Sequence, residues 1–165
     1  MQDLSHRGSQ IMEYQLNEDG VPMDEKDIER IWIDYGRRAG FFATHIENIG
    51  SSMPDMLMIW KGVTFFHETK MQRGNLIYFQ QFQWANFNRM RHHCHPWQLN
   101  IVVWKDGIFK LFSMDQLRTI EAEPTSQGKV KFKISSLEPL ITVANSYEYD
   151  LYIEWLRGKI WKKKT

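Results

Sequence analysis

Three ionisable residues, Asp55, Glu68 and Lys70, stand at the ends of two neighbouring apolar segments. Residues two apart on a strand project to the same face, so we expect Glu68 and Lys70 to point together and a hairpin to bring Asp55 alongside them. Converging carboxylates repel each other unless a cation lies between them, and hard oxygen ligands in small number suit Mg²⁺. The pattern predicts a centre for phosphodiester hydrolysis, in which Lys70 orients water or stabilises charge on phosphorus.

The same three residues could instead be solvated charges at the ends of strands, and their spacing alone does not separate the two interpretations. The flanking segments 56–59 and 63–66 are apolar, which predicts buried strands. Charges at the ends of buried strands are where α/β proteins place ligand sites, so this context favours the functional interpretation. His67 should face the opposite side of the sheet from Glu68, which favours a packed histidine over a ligand.

A helix is predicted before these strands. Asp24 can cap it, and apolar residues follow at helical spacing until Gly40: Ile28, Ile31, Trp32, Tyr35 and Ala39. Strands are predicted over residues 41–46, 55–60 and 63–70, with a hairpin turn at Lys61-Gly62.

The sequence of the second half of the chain predicts further helices and strands. Residues 76–93 contain neither Gly nor Pro and predict a long helix that Pro96 ends. Strands at 99–104 and 108–112 join at Asp106-Gly107, and a short helix (115–119), a β segment (130–134) and a C-terminal helix (147–161) follow. The order predicts an α/β fold with a central mixed β-sheet flanked by helices and an added C-terminal helix.

Residues 50–55 (GSSMPD), an apolar strand and then Glu68-Thr69-Lys70 resemble the PD-(D/E)XK nuclease superfamily. The nearest branches are the archaeal and phage Holliday-junction resolvases and the virus-type replication-repair nucleases. Those resolvases carry a glutamate eleven residues before a Gly-Phe pair, and here Glu29 stands eleven residues before Gly40-Phe41. The resemblance covers about residues 24–112 and implies a restriction-endonuclease-like core.

This resemblance implies roles for individual residues. Asp55 and Glu68 would be direct metal ligands, the carbonyl of Thr69 another, and Lys70 the catalytic lysine. Glu29 would be an outer carboxylate that acts directly or through water. Glu25 competes with Glu29 for that role, and only the spacing favours Glu29.

The resemblance also implies contacts with nucleic acid. Ser51 would contact phosphate or a water on the metal, and Ser52 and Arg73 are further candidates. Related nucleases often place a glutamine on the helix after the E-x-K strand, where it faces the metal site. Gln80, Gln81 and Gln83 are the candidates, and because Gln80 and Gln83 share one face of the predicted helix, we favour Gln83 with Gln80 second.

Length and composition set the remaining expectations. A chain of 165 residues with 42% apolar residues can bury a hydrophobic core. We expect a polar arm over 1–22 and one nuclease domain over 23–165. Within that domain the nuclease core would span about 24–112 and a C-terminal extension 113–165. Its single cysteine, Cys94, suits a reducing compartment. With no signal-like segment and no apolar run long enough to span a bilayer, we expect no membrane and a cytoplasmic protein, in the host cytoplasm if a phage encodes it.

The predicted function is a Mg²⁺-dependent DNA endonuclease, with Mn²⁺ able to substitute, that acts in recombination or repair. Its substrate could be branched DNA such as a Holliday junction, and nicks, linear ends and single strands stay open as alternatives. DNA is the expected partner, and no nucleotide cofactor is expected. A homodimer is expected only if the chain resembles the Holliday-junction resolvases in function, because those enzymes cut two symmetric strands. A different class is a catalytically silent DNA-binding or scaffolding module on the same fold. The intact Asp/Glu/Lys set argues against that class, because mutually repelling carboxylates are costly to keep.

Overall fold

The computed structural model describes residues 24–46 and 52–161, so the predicted arm lies outside the described residues. The α-helices are α1 (Glu25–Arg38), α2 (Gln81–Met90), α3 (Met114–Leu117) and α4 (Tyr149–Trp161). The strands are β1 (Phe42–His45), β2 (Met56–Trp60), β3 (Val63–Met71), β4 (Leu76–Gln80), β5 (Leu99–Lys105), β6 (Ile108–Ser113), β7 (Glu123–Pro124), β8 (Lys129–Lys133) and β9 (Ile141–Val143). None of the helices in these ranges is long and apolar enough to cross a membrane.

The first helix begins as its sequence predicts. Asp24 accepts a hydrogen bond from the Asp27 backbone N–H at 3.0 Å, and the Asp27 side chain accepts one from the Asp24 N–H at 3.1 Å. This reciprocal cap satisfies two backbone donors at the start of the helix. The apolar stripe of α1 then buries Ile28 and Trp32 against the sheet.

Six strands form the central sheet in the order β1-β2-β3-β5-β6-β9. Only β3 and β5 run parallel, and the other neighbours are antiparallel. Helices cover both faces of this mixed sheet, so the predicted fold class is confirmed. The second, three-stranded sheet has the order β4-β8-β7.

Two tight hairpins were predicted, and both are present. Lys61 and Gly62 have φ of 48° and 78° between β2 and β3, and Asp106 and Gly107 have φ of 51° and 81° between β5 and β6. Positive φ at both central residues is the signature of a type I′ turn, whose twist matches that of the strands it joins. The first hairpin fixes the register of the strands that carry the candidate site.

Each face of the central sheet has its own apolar core. On one face, α1 and α4 pack around Trp32, Phe65, Tyr149 and Tyr152. On the other face, α2 and the three-stranded sheet pack residues such as Phe79, Phe87 and Phe132 against β5. The central strands are therefore covered on both sides, which explains their nearly continuous apolar sequences.

The predicted helix over residues 76–93 is wrong in its first part. Residues 76–80 instead form β4, where Ile77 and Phe79 are buried and the residues on either side of them are more exposed. β4 pairs in antiparallel register with β8, and α2 begins only at Gln81. Cross-strand pairing and the burial of every second residue override the helical propensity of the segment. The small strands β7 and β9 were not predicted.

Candidate functional site

The β2–β3 hairpin places Asp55 opposite Glu68. Met56 pairs with His67, so the residue before Met56 faces the residue after His67. The Asp55 backbone N–H donates to Glu68 Oε2 at 3.1 Å, while Asp55 Oδ2 accepts from the backbone N–H of Thr69 at 2.9 Å and from its hydroxyl at 2.8 Å. These three hydrogen bonds hold the two carboxylates in place at the end of the hairpin.

Glu68 and Lys70 project to the same side of β3, as the strand alternation predicts, and they form a buried ion pair. Lys70 Nζ lies 2.7 Å from Glu68 Oε1, and the two side chains are 8% and 1% exposed. The ammonium also lies 4.8 Å from the centroid of the Phe79 ring. The lysine is thus held by a carboxylate and an aromatic face in a place largely closed to solvent.

Gln83, on the first turn of α2, forms hydrogen bonds with both members of this ion pair. Its Nε2 donates to Glu68 Oε1 at 2.8 Å, and its Oε1 accepts from Lys70 Nζ at 3.4 Å. Gln83 is buried, so its amide satisfies polar groups that water does not reach. The structure thus brings the favoured glutamine to the predicted carboxylate and lysine.

Glu29 projects from α1 and is close enough to Asp55 to be affected by its charge. It is 6% exposed, and its Oε1 accepts a hydrogen bond from Nδ1 of His45 at the end of β1. The pKa of Glu29 is raised to about 7, first by burial and then by the negative charge of Asp55, while the contact with His45 opposes the rise. The negative charge of Asp55 therefore acts on two buried glutamates, Glu29 and Glu68.

Asp55 also affects the pKa values of Glu68 and Lys70. Burial raises the pKa of Glu68 to about 8, Lys70 lowers it and Asp55 raises it. Burial lowers the pKa of Lys70, but Glu68, Glu25 and Asp55 more than offset that effect, and the net direction is upward. The lysine therefore stays cationic, while the carboxylates repel one another.

Glu25, the alternative to Glu29, lies at the other end of the site. Its Oε1 accepts a hydrogen bond from the Met71 backbone N–H at 3.1 Å, and its side chain is exposed. Glu25 is thus close to Lys70, whereas Glu29 is close to Asp55. Burial and the Asp55 interaction agree with the spacing that favours Glu29.

The remaining predicted contacts fall in different places. Ser51 lies outside the described residues, and the Ser52 carbonyl accepts a hydrogen bond from Asn86 Nδ2 at 2.8 Å. Arg73 is exposed in the turn after β3 and lines a cavity of about 470 Å³ that also reaches Lys70 and Gln80. The prediction that Gln80 and Gln83 share a helical face is wrong, because Gln80 ends β4 and is exposed.

His67, expected to be packed, lies on the opposite side of β3 and is fully buried. Trp32 Nε1 donates to its Nδ1 at 2.9 Å, so the proton resides on Nε2, which lies 2.9 Å from the hydroxyl of Tyr152. Burial lowers the pKa of His67 to about 3. This neutral histidine ties α1 and α4 to the strand that carries Glu68.

Sequence reasoning missed His45 and Phe79. His45 is the last residue of β1 and pairs with Met56, the residue that directly follows Asp55. The strand register could therefore have indicated that His45 lies near the site. Phe79 was hidden by the assignment of residues 76–80 to a helix. Its contact with Lys70 depends on the fold of β4 against β3, for which the sequence has no local signal.

The donor set is suited to a hard cation. Within residues 24–46 and 52–161, no three His, Cys, Asp or Glu side chains are grouped closely enough to hold a metal ion alone. Mg²⁺, however, is often bound by one or two carboxylates together with waters and substrate phosphates. Asp55 Oδ1 receives no hydrogen bond from any described residue, so it has lone pairs for a cation. Among the described residues, Glu68 Oε2 accepts a single hydrogen bond, from the Asp55 N–H, so one of its lone pairs is also available. Asp55 Oδ1 and Glu68 Oε2 therefore fit such an ion.

No family model matches the chain, and no curated protein matches it. The chain is similar to the solved structure of Hjc, a Holliday junction resolvase from the archaeal hyperthermophile Archaeoglobus fulgidus, with 16% identity, coverage of 67% of this chain and 84% of that chain, and a TM-score of 0.49. It is also similar to a bacterial homing endonuclease, with 12% identity, coverage of 86% and 96%, and a TM-score of 0.45. At these identities, the roles of individual residues rest on the site itself.

Proposed function

We propose that the chain is a metal-dependent DNA endonuclease that hydrolyses phosphodiester bonds at Asp55, Glu68 and Lys70. The observation that carries the proposal is the buried Lys70–Glu68 pair, 2.7 Å apart, next to an Asp55 fixed by the backbone of the same strand. Burying Lys70 together with Glu68 and Glu29 is costly, and such groups are retained where they perform chemistry. The geometry supports a charged reaction centre rather than solvated strand ends.

The proposed cofactor is Mg²⁺, for which Mn²⁺ can substitute. Asp55, Glu68 and the main-chain carbonyl of Thr69 would hold the ion, and Glu29 would act as an outer carboxylate. When bound, the ion would supply Lewis acidity to the phosphate and lower the pKa of water.

Lys70 has a defined part in the reaction. Its ammonium has three N–H donors, and in the described structure Glu68 Oε1 and Gln83 Oε1 accept two of them. The third donor is available to a phosphate oxygen or to the attacking water. Water would attack phosphorus in line and lose a proton to solvent, while the bond to the leaving oxygen breaks and that oxygen takes up a proton. The fixed positive charge of Lys70 would stabilise the charge on the phosphoryl group.

The test is cleavage of supercoiled plasmid and of a synthetic four-way junction, with Mg²⁺ and with EDTA. We choose the junction because the sequence resembles junction resolvases. We expect Mg²⁺-dependent cleavage that falls by at least about 100-fold in Asp55→Ala and in Lys70→Ala, since each removes charge from the reacting centre. Matched controls are Asp150→Ala and Lys159→Ala on α4, across the sheet, which should cleave as the unaltered chain does.

Thermal melting of every variant separates a chemical loss from a folding loss. Absence of metal-dependent cleavage of both substrates by the folded chain would refute the proposal, and so would full cleavage by folded Asp55→Ala and Lys70→Ala. DNA binding without cleavage would instead identify a silent binding module.

A further inference from the structure

The three-stranded sheet carries a basic outer face that the reaction centre does not use. On β8, Val130 and Phe132 point into the core, and the lysines between and beside them point outward. On β4, the buried Ile77 and Phe79 alternate with outward residues in the same way. Register pairs the outward residues as Gln80 with Lys129, Tyr78 with Lys131 and Leu76 with Lys133. We call these six residues the outer lysine face.

A groove connects this face to Lys70. One cavity, of about 470 Å³, runs from the start of α1 past Lys70 to Lys129, and a second, of about 270 Å³, continues to the turn at residues 125–127. The two cavities share Arg73, Tyr78 and Lys129 in their lining, so they are adjoining parts of one groove. A polymer whose phosphate is at Lys70 can therefore extend along it.

The charge of the groove is positive. The larger cavity is lined by four basic side chains, Lys26, Lys70, Arg73 and Lys129, and by two acidic ones, Asp24 and Glu25. Both acids already accept backbone hydrogen bonds. Arg73 and Lys129 form no ion pair with any described residue, whereas the neighbouring Lys131 pairs with Glu123 at 3.1 Å. Two unpaired cations therefore flank the path away from Lys70.

Tyr78 adds an aromatic surface between these cations. Its ring lies on the outward side of β4, is half-buried, lines both cavities and makes no ring contact with another described residue. An aromatic ring among basic groups is the arrangement by which proteins hold unpaired nucleic acid, because bases stack on the ring while phosphates meet the cations. A base paired in a duplex is already stacked on both sides, so this ring fits an unpaired strand.

We propose that Arg73, Tyr78 and Lys129 bind an unpaired DNA strand on one flank of the scissile phosphate. This inference rests on the proposed nuclease function, because that function places a phosphodiester at Lys70. It makes the three-stranded sheet part of substrate recognition. DNA with an unpaired segment beside the cleaved bond, as at a branch or flap, is the substrate class that the groove fits.

The test is binding in EDTA, where the proposed cleavage does not proceed. Fluorescence anisotropy compares an oligothymidylate of about 20 nucleotides with a duplex of equal length, across a series of salt concentrations. The pair Arg73→Gln/Lys129→Gln should weaken oligothymidylate binding by at least about tenfold and lower the salt slope by about 1.4, since each phosphate contact on a single strand contributes about 0.7.

The matched control is Arg38→Gln/Lys159→Gln, which makes the same substitutions on α1 and α4 on the other side of the sheet. Tyr78→Leu, which keeps apolar volume, should weaken the oligothymidylate complex by about fivefold or more and the duplex complex by less, while Tyr78→Phe should retain affinity. Melting curves verify that each variant folds.

The inference is overturned if the Arg73/Lys129 pair matches its control in affinity and salt slope, or if folded Tyr78→Leu binds the single strand as tightly as the unaltered chain. The outcome is independent of the cleavage assay. The predicted binding pattern without cleavage would refute the nuclease and leave the groove as a strand-binding site. Cleavage without the pattern would refute the groove alone.

Discussion

Gln83 Nε2 donates a hydrogen bond to Glu68 Oε1 across 2.8 Å, at the same oxygen that Lys70 Nζ approaches to 2.7 Å. The other end of the Gln83 amide accepts from that ammonium. A neutral side chain with one donor end and one acceptor end is needed here, because a glutamate would repel Glu68 and a leucine would leave buried polar groups unsatisfied.

Replacing Gln83 by Leu should therefore slow the proposed cleavage without unfolding the chain. We expect a loss of about 10- to 100-fold, the range seen when groups that orient metal-site ligands are removed. Single-turnover cleavage of the preferred substrate measures it. Gln81→Leu is the matched control, because Gln81 starts the same helix but is exposed. Equal rates for the two folded variants would contradict the orienting role of Gln83.

Glu29 should make stability depend on pH. Its pKa is about 7 in the folded chain and about 4.5 when unfolded, so the unfolded state loses its proton first as pH rises. Folding stability from this group is complete below about pH 4.5 and is lost as pH rises through about 7. The shift corresponds to about 3 kcal/mol at most, since one pKa unit is about 1.36 kcal/mol.

Glu29→Gln cannot ionise, so it should gain stability relative to the unaltered chain between about pH 5 and pH 8. Urea unfolding in EDTA at several pH values measures the difference. Glu25→Gln, the same substitution at an exposed position of the same helix, is the matched control. A difference between Glu29→Gln and the unaltered chain that stays constant across this range would show that Glu29 ionises normally.

The parts of the fold that could be predicted are those with local signals. Helix α1 has its cap, its apolar stripe and its terminal glycine, and both type I′ turns have Gly as their second central residue, after Lys61 in one and Asp106 in the other. The positions of Asp55, Glu68 and Lys70 follow from the first of these turns. Strand alternation then placed His67 on the opposite face, where the structure has it.

The parts that could not be predicted depend on contacts distant in the chain. Residues 76–80 become a strand because β8, about 50 residues later, pairs with them, and no local feature announces that partner. The error in this segment also misassigned Gln80. The Glu29–His45 contact depends on how α1 packs across β1, and the support that Phe79 gives Lys70 depends on where β4 lies. Both contacts are set by tertiary packing, for which the local sequence has no signal.

The contacts of His67 should be energetically coupled. Trp32 Nε1 donates to Nδ1 and the Nε2 proton reaches the Tyr152 hydroxyl, so removing either partner leaves one ring nitrogen buried and unsatisfied. We expect Tyr152→Phe and Trp32→Phe each to lower the free energy of unfolding by about 1 to 3 kcal/mol. A double-mutant cycle by urea unfolding should give a coupling energy of at least about 0.5 kcal/mol.

Tyr35→Phe is a useful comparison for Tyr152→Phe, because Tyr35 is only partly buried and its ring packs on Phe109 and Tyr149 rather than on His67. It should cost much less stability and show no coupling with Trp32→Phe. Strict additivity of Tyr152→Phe and Trp32→Phe would show that the histidine does not link α1 and α4.

Divalent cations should stabilise the folded chain through Asp55. The carboxylates around it repel one another, and an ion that binds only the folded state raises its stability by about 2.7 kcal/mol when present at about 100 times its Kd. We expect Mg²⁺ and Mn²⁺ to raise the melting temperature, and to do so more at about pH 8 than at about pH 5. The pKa of Glu68 is about 8 and that of Glu29 about 7, so at the lower pH protons occupy the oxygens that the ion needs.

Asp55→Ala should lose most of this ion-induced shift, and Asp150→Ala on α4 should retain it, although both variants lose one carboxylate. Differential scanning fluorimetry with and without each ion gives the comparison independently of cleavage. An equal shift in the two variants would place the ion elsewhere on the chain. A shift larger at low pH would mean that the carboxylates around Asp55 do not hold it, because proton and cation compete for the same lone pairs.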